Sequence, residues 1–209
     1  MPSGCIQTKT TGDTVVLLHG IGRTRRAMFL IERALKRDGF DVLNITYPSQ
    51  RHDIATLAGI LEEQLEQLGV WQRNRRVHFV THSMGGLLIR HYLATRKDSI
   101  PMEWLGRVVM LGPPNGGSDV ADLLRGFRPY KWFYGPAGQE LTTTAQARKN
   151  AEPYYELGIV AGNRGWPYIV ADRLIPGQHD GRVAVERTKL PGMTDHITVP
   201  ATHTFMTWS

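Results

Sequence analysis

The chain has 209 residues, 41% of them apolar, enough for one well-packed core and few enough to expect a single domain over residues 1–209. Cys5 is the only cysteine, which excludes an intrachain disulfide and a cysteine-built metal site, and no apolar run approaches the ~18 residues of a membrane span. The formal charge of +6 raises an anionic partner, but Arg23, Arg25, Arg26 and Arg73, Arg75, Arg76 are not interleaved with aromatic rings, so the reading is a solvated basic surface with no nucleic-acid partner.

The first fourteen residues carry no apolar leader, which favours a cytoplasmic chain. Ser3-Gly4-Cys5 resembles the end of a lipoprotein cleavage box and keeps a processed, exported form open. Val15-Val16-Leu17-Leu18 is a continuous apolar run, as expected of a strand buried on both faces. Thr24 is the expected cap of a helix over residues 24–38, with Met28, Ile31 and Leu35 on one face and Gly39 as its stop. Val42-Leu43-Asn44-Ile45 reads as the second strand. Ile54, Leu57, Ala58, Leu61, Leu65 and Leu68 keep helical spacing up to Gly69. A third strand at residues 77–80 is followed by a sharp turn and a helix to Thr95, and Val108-Val109-Met110-Leu111 is the fourth strand.

After Ser118 the pattern weakens. Residues 119–125 have room for two turns of helix, and residues 127–136 are aromatic, proline-broken and too irregular for a core helix. Residues 157–161 read as the fifth strand, Tyr168-Ile169-Val170 as a short apolar run, and Ile197-Thr198-Val199 as the last strand. Strands alternating with helices argue for a parallel sheet, and right-handed crossovers bring all strand C-termini to one edge, where ligands bind. The residues just after each strand are therefore the candidates for chemistry.

After the third strand stands Thr81-His82-Ser83-Met84-Gly85-Gly86. A serine on a tight strand-to-helix turn has its hydroxyl lifted above the sheet and the next helix N-terminus aimed at it. That setting points to attack on acyl carbonyls. Thr81 is bulkier than the small residue such a turn favours two places before the serine. After the first strand, His19-Gly20-Ile21-Gly22-Arg23 lets the Ile21 N–H face Ser83, with the Met84 N–H as a second donor to an oxyanion. Gly20 leaves room for a substrate against the backbone. After the fourth strand, the loop Gly112-Pro113-Pro114-Asn115-Gly116-Gly117-Ser118 shapes a pocket wall at Pro114. The carboxylate expected in His179-Asp180-Gly181-Arg182-Val183 is Asp180, shown at a loop tip by the Asp-Gly turn; Asp172 is the competitor. His203 follows the last strand and so lies at the catalytic edge, whereas His196 precedes it and falls at the far edge. His82 and His19 adjoin the site and belong to its turns.

Taken together, these segments and Val199-Pro200-Ala201-Thr202-His203-Thr204-Phe205 resemble the α/β-hydrolase superfamily, and within it small bacterial lipase- and esterase-like members. The resemblance implies a minimal α/β-hydrolase fold: about six mostly parallel strands with helices on both faces. It implies a Ser83, Asp180, His203 triad, no metal or organic cofactor, and a small-molecule ester or lipid as substrate, with no stable membrane insertion. Thioesterase, amidase, acyltransferase, lipase or phospholipase chemistry uses the same triad, and a non-catalytic binding protein can share the fold. The antiparallel strands that usually open the fold have no counterpart ahead of Val15, and members of the superfamily normally continue past the histidine into a helix that covers the sheet. Residues 119–150 are the room for a lid, and Trp132 and Phe133 are expected as an aromatic wall beside an open pocket suited to short and medium acyl chains.

Overall fold

A computed structural model describes residues 12–73, 75–118, 121–122, 126, 128–142, 152–165 and 175–208, with only the backbone course for residues 128–133. The strands are β1 (Thr14–Leu18), β2 (Asp41–Ile45), β3 (Val77–His82), β4 (Leu105–Leu111), β5 (Leu157–Gly162) and β6 (Asp195–Val199). They form a six-stranded sheet in the order β2-β1-β3-β4-β5-β6, and every neighbouring pair is parallel. The helices are α1 (Phe29–Arg37), α2 (Ile54–Gln67), α3 (Met84–Thr95), α4 (Arg128–Gln139) and α5 (Val185–Thr188).

β1 is buried at all five positions, as its unbroken apolar run predicts for a strand flanked on both sides and both faces. On one face of the sheet α2 and α3 bury Phe79, Val108, Met110 and Ile159. The α2 spacing of Ile54, Leu57, Ala58, Leu61 and Leu65 places all five side chains in that core, and Asp53 caps the helix by accepting the Thr56 N–H at 2.8 Å. Filling this face contributes about 1.5–3 kcal/mol for each fully buried large apolar side chain. The other face carries α1 and the 3₁₀ turn Phe205–Trp208. Its cover is thinner: Val80, Val109 and Val160 are only partly buried, and Ile197 on the edge strand β6 is exposed.

Three expectations change in detail. Thr24 precedes a 3₁₀ turn, Arg25–Met28, without a side-chain cap bond, and α1 begins at Phe29. β6 starts at Asp195, so His196 lies inside the strand near its N-terminal end rather than ahead of it. The stretch read as too irregular for a core helix is helical as α4, broken at Gly135 (φ 60°, ψ −161°) where Pro136 follows. The break has a local cause: a Cβ on Gly135 would fall on the Gln50 carbonyl oxygen, so the chain bends where it meets the β2–α2 loop. Tyr168-Ile169-Val170, Asp172 and most of residues 119–125 lie outside the described residues; Ala121 and Asp122 are helical.

Candidate active site

Ser83 sits between the end of β3 and the start of α3 with φ 55° and ψ −125°. It is the only non-glycine residue with positive φ among the described residues. Such a conformation costs about 1–3 kcal/mol and persists only where the surroundings impose it. Here the Ser83 N–H donates to the Leu111 carbonyl at 2.8 Å, and the Ser83 carbonyl accepts the Gly86 N–H at 2.9 Å. Gly85 completes the turn, since a Cβ there would lie 2.8 Å from the Leu18 carbonyl oxygen and 2.9 Å from that of His19. The α3 backbone thus packs directly on the end of β1.

His203, beyond β6, reaches across to this turn. Its Nε2 lies 2.9 Å from Ser83 Oγ and its Nδ1 lies 2.6 Å from Asp180 Oδ2. A carboxylate only accepts, so Nδ1 carries the proton and Nε2 is left to accept from the serine hydroxyl. All three side chains are buried. The Asp180 carboxylate is therefore not displayed at a loop tip, as the Asp-Gly dipeptide suggested. The turn folds it inward: Asp180 Oδ1 accepts the N–H groups of Arg182 at 2.9 Å and Val183 at 2.8 Å. Burial alone would raise the Asp180 pKa, but the charge and hydrogen bond of His203 with these two backbone donors outweigh it and hold the carboxyl below its usual value. Gly112 (φ 55°) closes the back of the pair, for a Cβ there would lie 3.1 Å from Asp180 Oδ2 and 3.2 Å from His203 Nδ1.

Beside Ser83 runs the turn after β1. A Cβ on Gly20 would lie 3.1 Å from Ser83 Cβ, so this backbone borders the serine without a side chain between them. The turn closes through Arg23 N–H to the Gly20 carbonyl at 3.2 Å. Ile21 and Met84 are both buried, and Met84 is the first residue of α3, where N–H groups have no acceptor within the helix.

Two of the residues that fix this turn, Tyr47 and Ser49, have no signature in the sequence. His19 stacks on Tyr47 with ring centroids 4.3 Å apart, its Nδ1 lies 2.8 Å from the Gly20 carbonyl oxygen, and the Tyr47 hydroxyl donates to the His19 carbonyl. Burial pushes the His19 pKa down, so the ring stays neutral. Ser49 Oγ accepts the Gly22 N–H at 3.0 Å. Tyr47 and Ser49 come from the loop after β2, and only the parallel pairing of β1 with β2 brings them here. A second set braces the acid: Asn115 Oδ1 accepts from Arg90 at 2.9 Å, Asn115 Nδ2 donates to the Thr188 carbonyl at 2.8 Å, and Ser118 Oγ donates to the Arg182 carbonyl at 3.0 Å. Pro114 is buried in the same loop. The side chains of Trp132 and Phe133 lie outside the description; farther along α4, a Cβ on Gly138 would be 3.7 Å from Ile21 Cδ1, so that end of the helix borders the turn after β1. His196 is remote from the cluster, its Nε2 lying 2.8 Å from Thr188 Oγ1.

A separate cavity of about 350 Å³ opens beside α2 and α3, lined by Ile54, Leu87, Arg90, His91, Tyr154 and Tyr155 among others, and none of Ser83, Asp180 or His203 lines it. No group of three or more His, Cys, Asp or Glu among the described residues could hold a metal ion, and no described helix is long and apolar enough to cross a membrane.

A sequence model of the alpha/beta hydrolase family matches residues 15–207, which takes in every element from β1 to the turn after His203. The chain belongs to the alpha/beta hydrolase family. Among solved structures, it is similar to the mature lipase BlEst2 of Bacillus licheniformis, with a TM-score of 0.74 and 22% identity over 98% of this chain and 90% of that one. It is also similar to a metagenomic carboxyl esterase (TM-score 0.72, 18% identity, 93% of this chain, 65% of the other). Phospholipase PlaB of Legionella pneumophila matches at a TM-score of 0.65 and 16% identity over 86% of this chain and 46% of its own. At such identities the likeness is one of fold.

Proposed function

We propose that this alpha/beta hydrolase cleaves carboxylic esters of short to medium acyl chains through an acyl-enzyme intermediate. The reading rests on one observation above others: a strained serine hydroxyl, an imidazole and a buried carboxylate in unbroken hydrogen-bond contact at 2.9 and 2.6 Å. A serine hydroxyl is a weak nucleophile until a base takes its proton, and His203 Nε2 has the position and tautomer for it. Ser83 Oγ attacks the ester carbonyl carbon as its proton passes to His203. The carbonyl oxygen gains charge and is stabilised by the N–H groups of Ile21 and Met84. His203 then returns the proton to the leaving alcohol as the C–O bond breaks. Water, deprotonated by His203, repeats the attack on the acyl-enzyme and releases the acid. Asp180 stays ionised throughout and stabilises the imidazolium.

Gly20, Pro114, Trp132 and Phe133 are proposed to line the substrate channel. The solved proteins of like fold include a lipase, a carboxyl esterase and a phospholipase, which supports an ester or lipid ester as the substrate class. The break in α4 at Gly135 favours a wall over a long amphipathic lid, hence the shorter chains. A p-nitrophenyl ester series with fluorophosphonate labelling tests the proposal. Ser83-dependent labelling and a rate maximum at short or medium chains are expected. A maximum at long chains with a jump above the micellar threshold would instead assign residues 119–150 as a lid, and absence of both labelling and hydrolysis would leave a non-catalytic member of the family.

A further inference from the structure

His82, the last residue of β3, is buried beneath the site. Its Nε2 lies 2.8 Å from the backbone carbonyl oxygen of His203. A carbonyl only accepts, so Nε2 carries the proton. Nδ1 is then a bare acceptor; it is buried without a hydrogen-bond partner, and a Cβ on Gly20 would lie 3.1 Å from it. Leaving a polar atom so placed is unfavourable, a cost that an apolar residue here would avoid. The His82 ring also lies 5.0 Å from the His203 ring, tilted by 45°.

The His203 peptide is thus held at both ends. Its N–H donates to the Asp180 carbonyl at 2.8 Å, and its carbonyl accepts from His82. The first contact fixes the His203 backbone against the acid, and the second fixes it to the strand end that carries Ser83. The support is needed because β6, which leads into the His203 loop, is the exposed edge of the sheet.

We infer that His82 is a positioning residue that ties the His203 backbone to the strand end carrying Ser83 and so sets the distance from base to nucleophile. This rests on the hydrolase reading above. The role requires a neutral ring, because a second cation beneath His203 would oppose the imidazolium formed in each turnover. Burial, and after it the nearby His203, push the His82 pKa down to about 3. The titratable groups acting on it are His203, Asp180 and Arg23.

Three variants of the whole chain test the assignment. The side-chain nitrogen of Gln is as many bonds from Cα as imidazole Nε2, so His82→Gln keeps a donor in reach of the His203 carbonyl. The Asn nitrogen is one bond short, and Phe keeps a ring without a donor. With p-nitrophenyl butyrate, His82→Phe and His82→Asn are expected to lose about 10- to 100-fold in kcat, the scale of a misplaced catalytic group, with KM nearly unchanged. His82→Gln should return to within about threefold of wild type, under ~0.7 kcal/mol in barrier height. Equal loss in Gln and Phe, or a loss that follows Tm in all three, would leave His82 a packing residue. Full activity in His82→Phe would overturn the assignment outright. If Phe does not fold, the Gln and Asn pair decides. In wild type, ¹⁵N spectra should find His82 as the Nε2–H tautomer with a slowly exchanging proton; the Nδ1–H tautomer would also overturn it. Failure of the hydrolase reading looks different: wild type itself would be inactive and unlabelled by fluorophosphonate, whatever the tautomer of His82.

Discussion

The sheet carries a histidine and aspartate pair at each edge. His203 and Asp180 meet at the C-terminal edge, 2.6 Å apart and 4% and 1% exposed; His78 and Asp13 meet at the N-terminal edge, 3.3 Å apart and 19% and 23% exposed. The two pairs share their chemistry and differ in what surrounds them. Asp180 has its second oxygen filled by two backbone donors, and His203 turns its free nitrogen to a strained serine. His78 accepts the Arg107 N–H on Nδ1 at 2.9 Å, so its nitrogens join the starts of neighbouring strands to one another. Other charges near that edge form exposed ion pairs, such as Arg107 with Glu156 and Arg37 with Asp38. Residue type therefore says little by itself. Burial and the end of the strand at which a residue falls separate the site from the scaffold.

The sharpest way to break this contrast is to remove each histidine in turn. Ser83→Ala and His203→Ala should each lower ester hydrolysis by about 10⁴- to 10⁶-fold, nearly alike because the two act as a unit. His78→Ala should leave kcat within about threefold, under ~0.7 kcal/mol in barrier height, once the folded fraction is measured by circular dichroism. A large loss in His78→Ala with the fold intact would put chemistry at the wrong edge. Asp180→Asn comes next. It should lower kcat by about 10⁴-fold with KM nearly unchanged, since the amide cannot stabilise an imidazolium and offers a donor where the Nδ1 proton needs an acceptor. Asp172→Asn should do little; a large loss there with Asp180→Asn unchanged would transfer the acid role to Asp172.

Much of this arrangement could be read in the sequence because its signals are local. The apolar runs of β1, β3 and β4, the helical spacing of α2, and the small residues around Ser83 each specify structure within a few positions. Placing His203 after the last strand needed only the rule that parallel strands share a C-terminal edge. What escaped was contact between distant segments. No spacing announces that Tyr47 and Ser49 clamp the turn after β1, or that Asn115 links Arg90 to the Thr188 carbonyl. The Asp-Gly turn was legible, but the direction of its carboxylate was not, because that depends on the N–H groups of Arg182 and Val183 and on His203 across the fold. α4 was missed because proline forbids one continuous helix but permits two short ones joined at a glycine.

Acid should weaken the C-terminal edge through its buried rings. Burial lowers the pKa of His82 to about 3 and that of His19 below its ordinary 6.5. Below that ordinary value the unfolded chain binds more protons than the folded one, so folding weakens as pH falls. The contribution of the neutral rings is whole above about pH 6.5 and is lost between there and the folded pKa, at up to ~1.4 kcal/mol per pH unit per ring. Asp180, also lowered, adds a loss below its ordinary 3.8. Urea midpoints at pH 7, 6, 5 and 4 should fall steadily in wild type and less steeply in His82→Gln. An equal slope in the two would show that His82 carries none of the acid sensitivity.

The smallest expected effect is that of Asp13→Asn. Asn keeps an oxygen that can accept from His78 Nε2 and removes only the charge, so the variant isolates the electrostatic part of the pair. That part is small, because the two groups are 3.3 Å apart and each keeps about a fifth of its side chain in water. Partly exposed pairs of this kind contribute about 0–1 kcal/mol, less as salt screens them. The His78 ring has other holds, since it accepts the Arg107 N–H and lies against Gly106, where a Cβ would come within 2.5 Å of its Nδ1. Asp13→Asn should therefore lower stability by less than about 1 kcal/mol in low salt, with the difference shrinking in 0.5 M NaCl, an ionic strength at which the Debye length is only about 4 Å. A loss of several kcal/mol that persists in high salt would show that this pair, too, is held by its surroundings, and the contrast between the two edges would then rest on Ser83 alone.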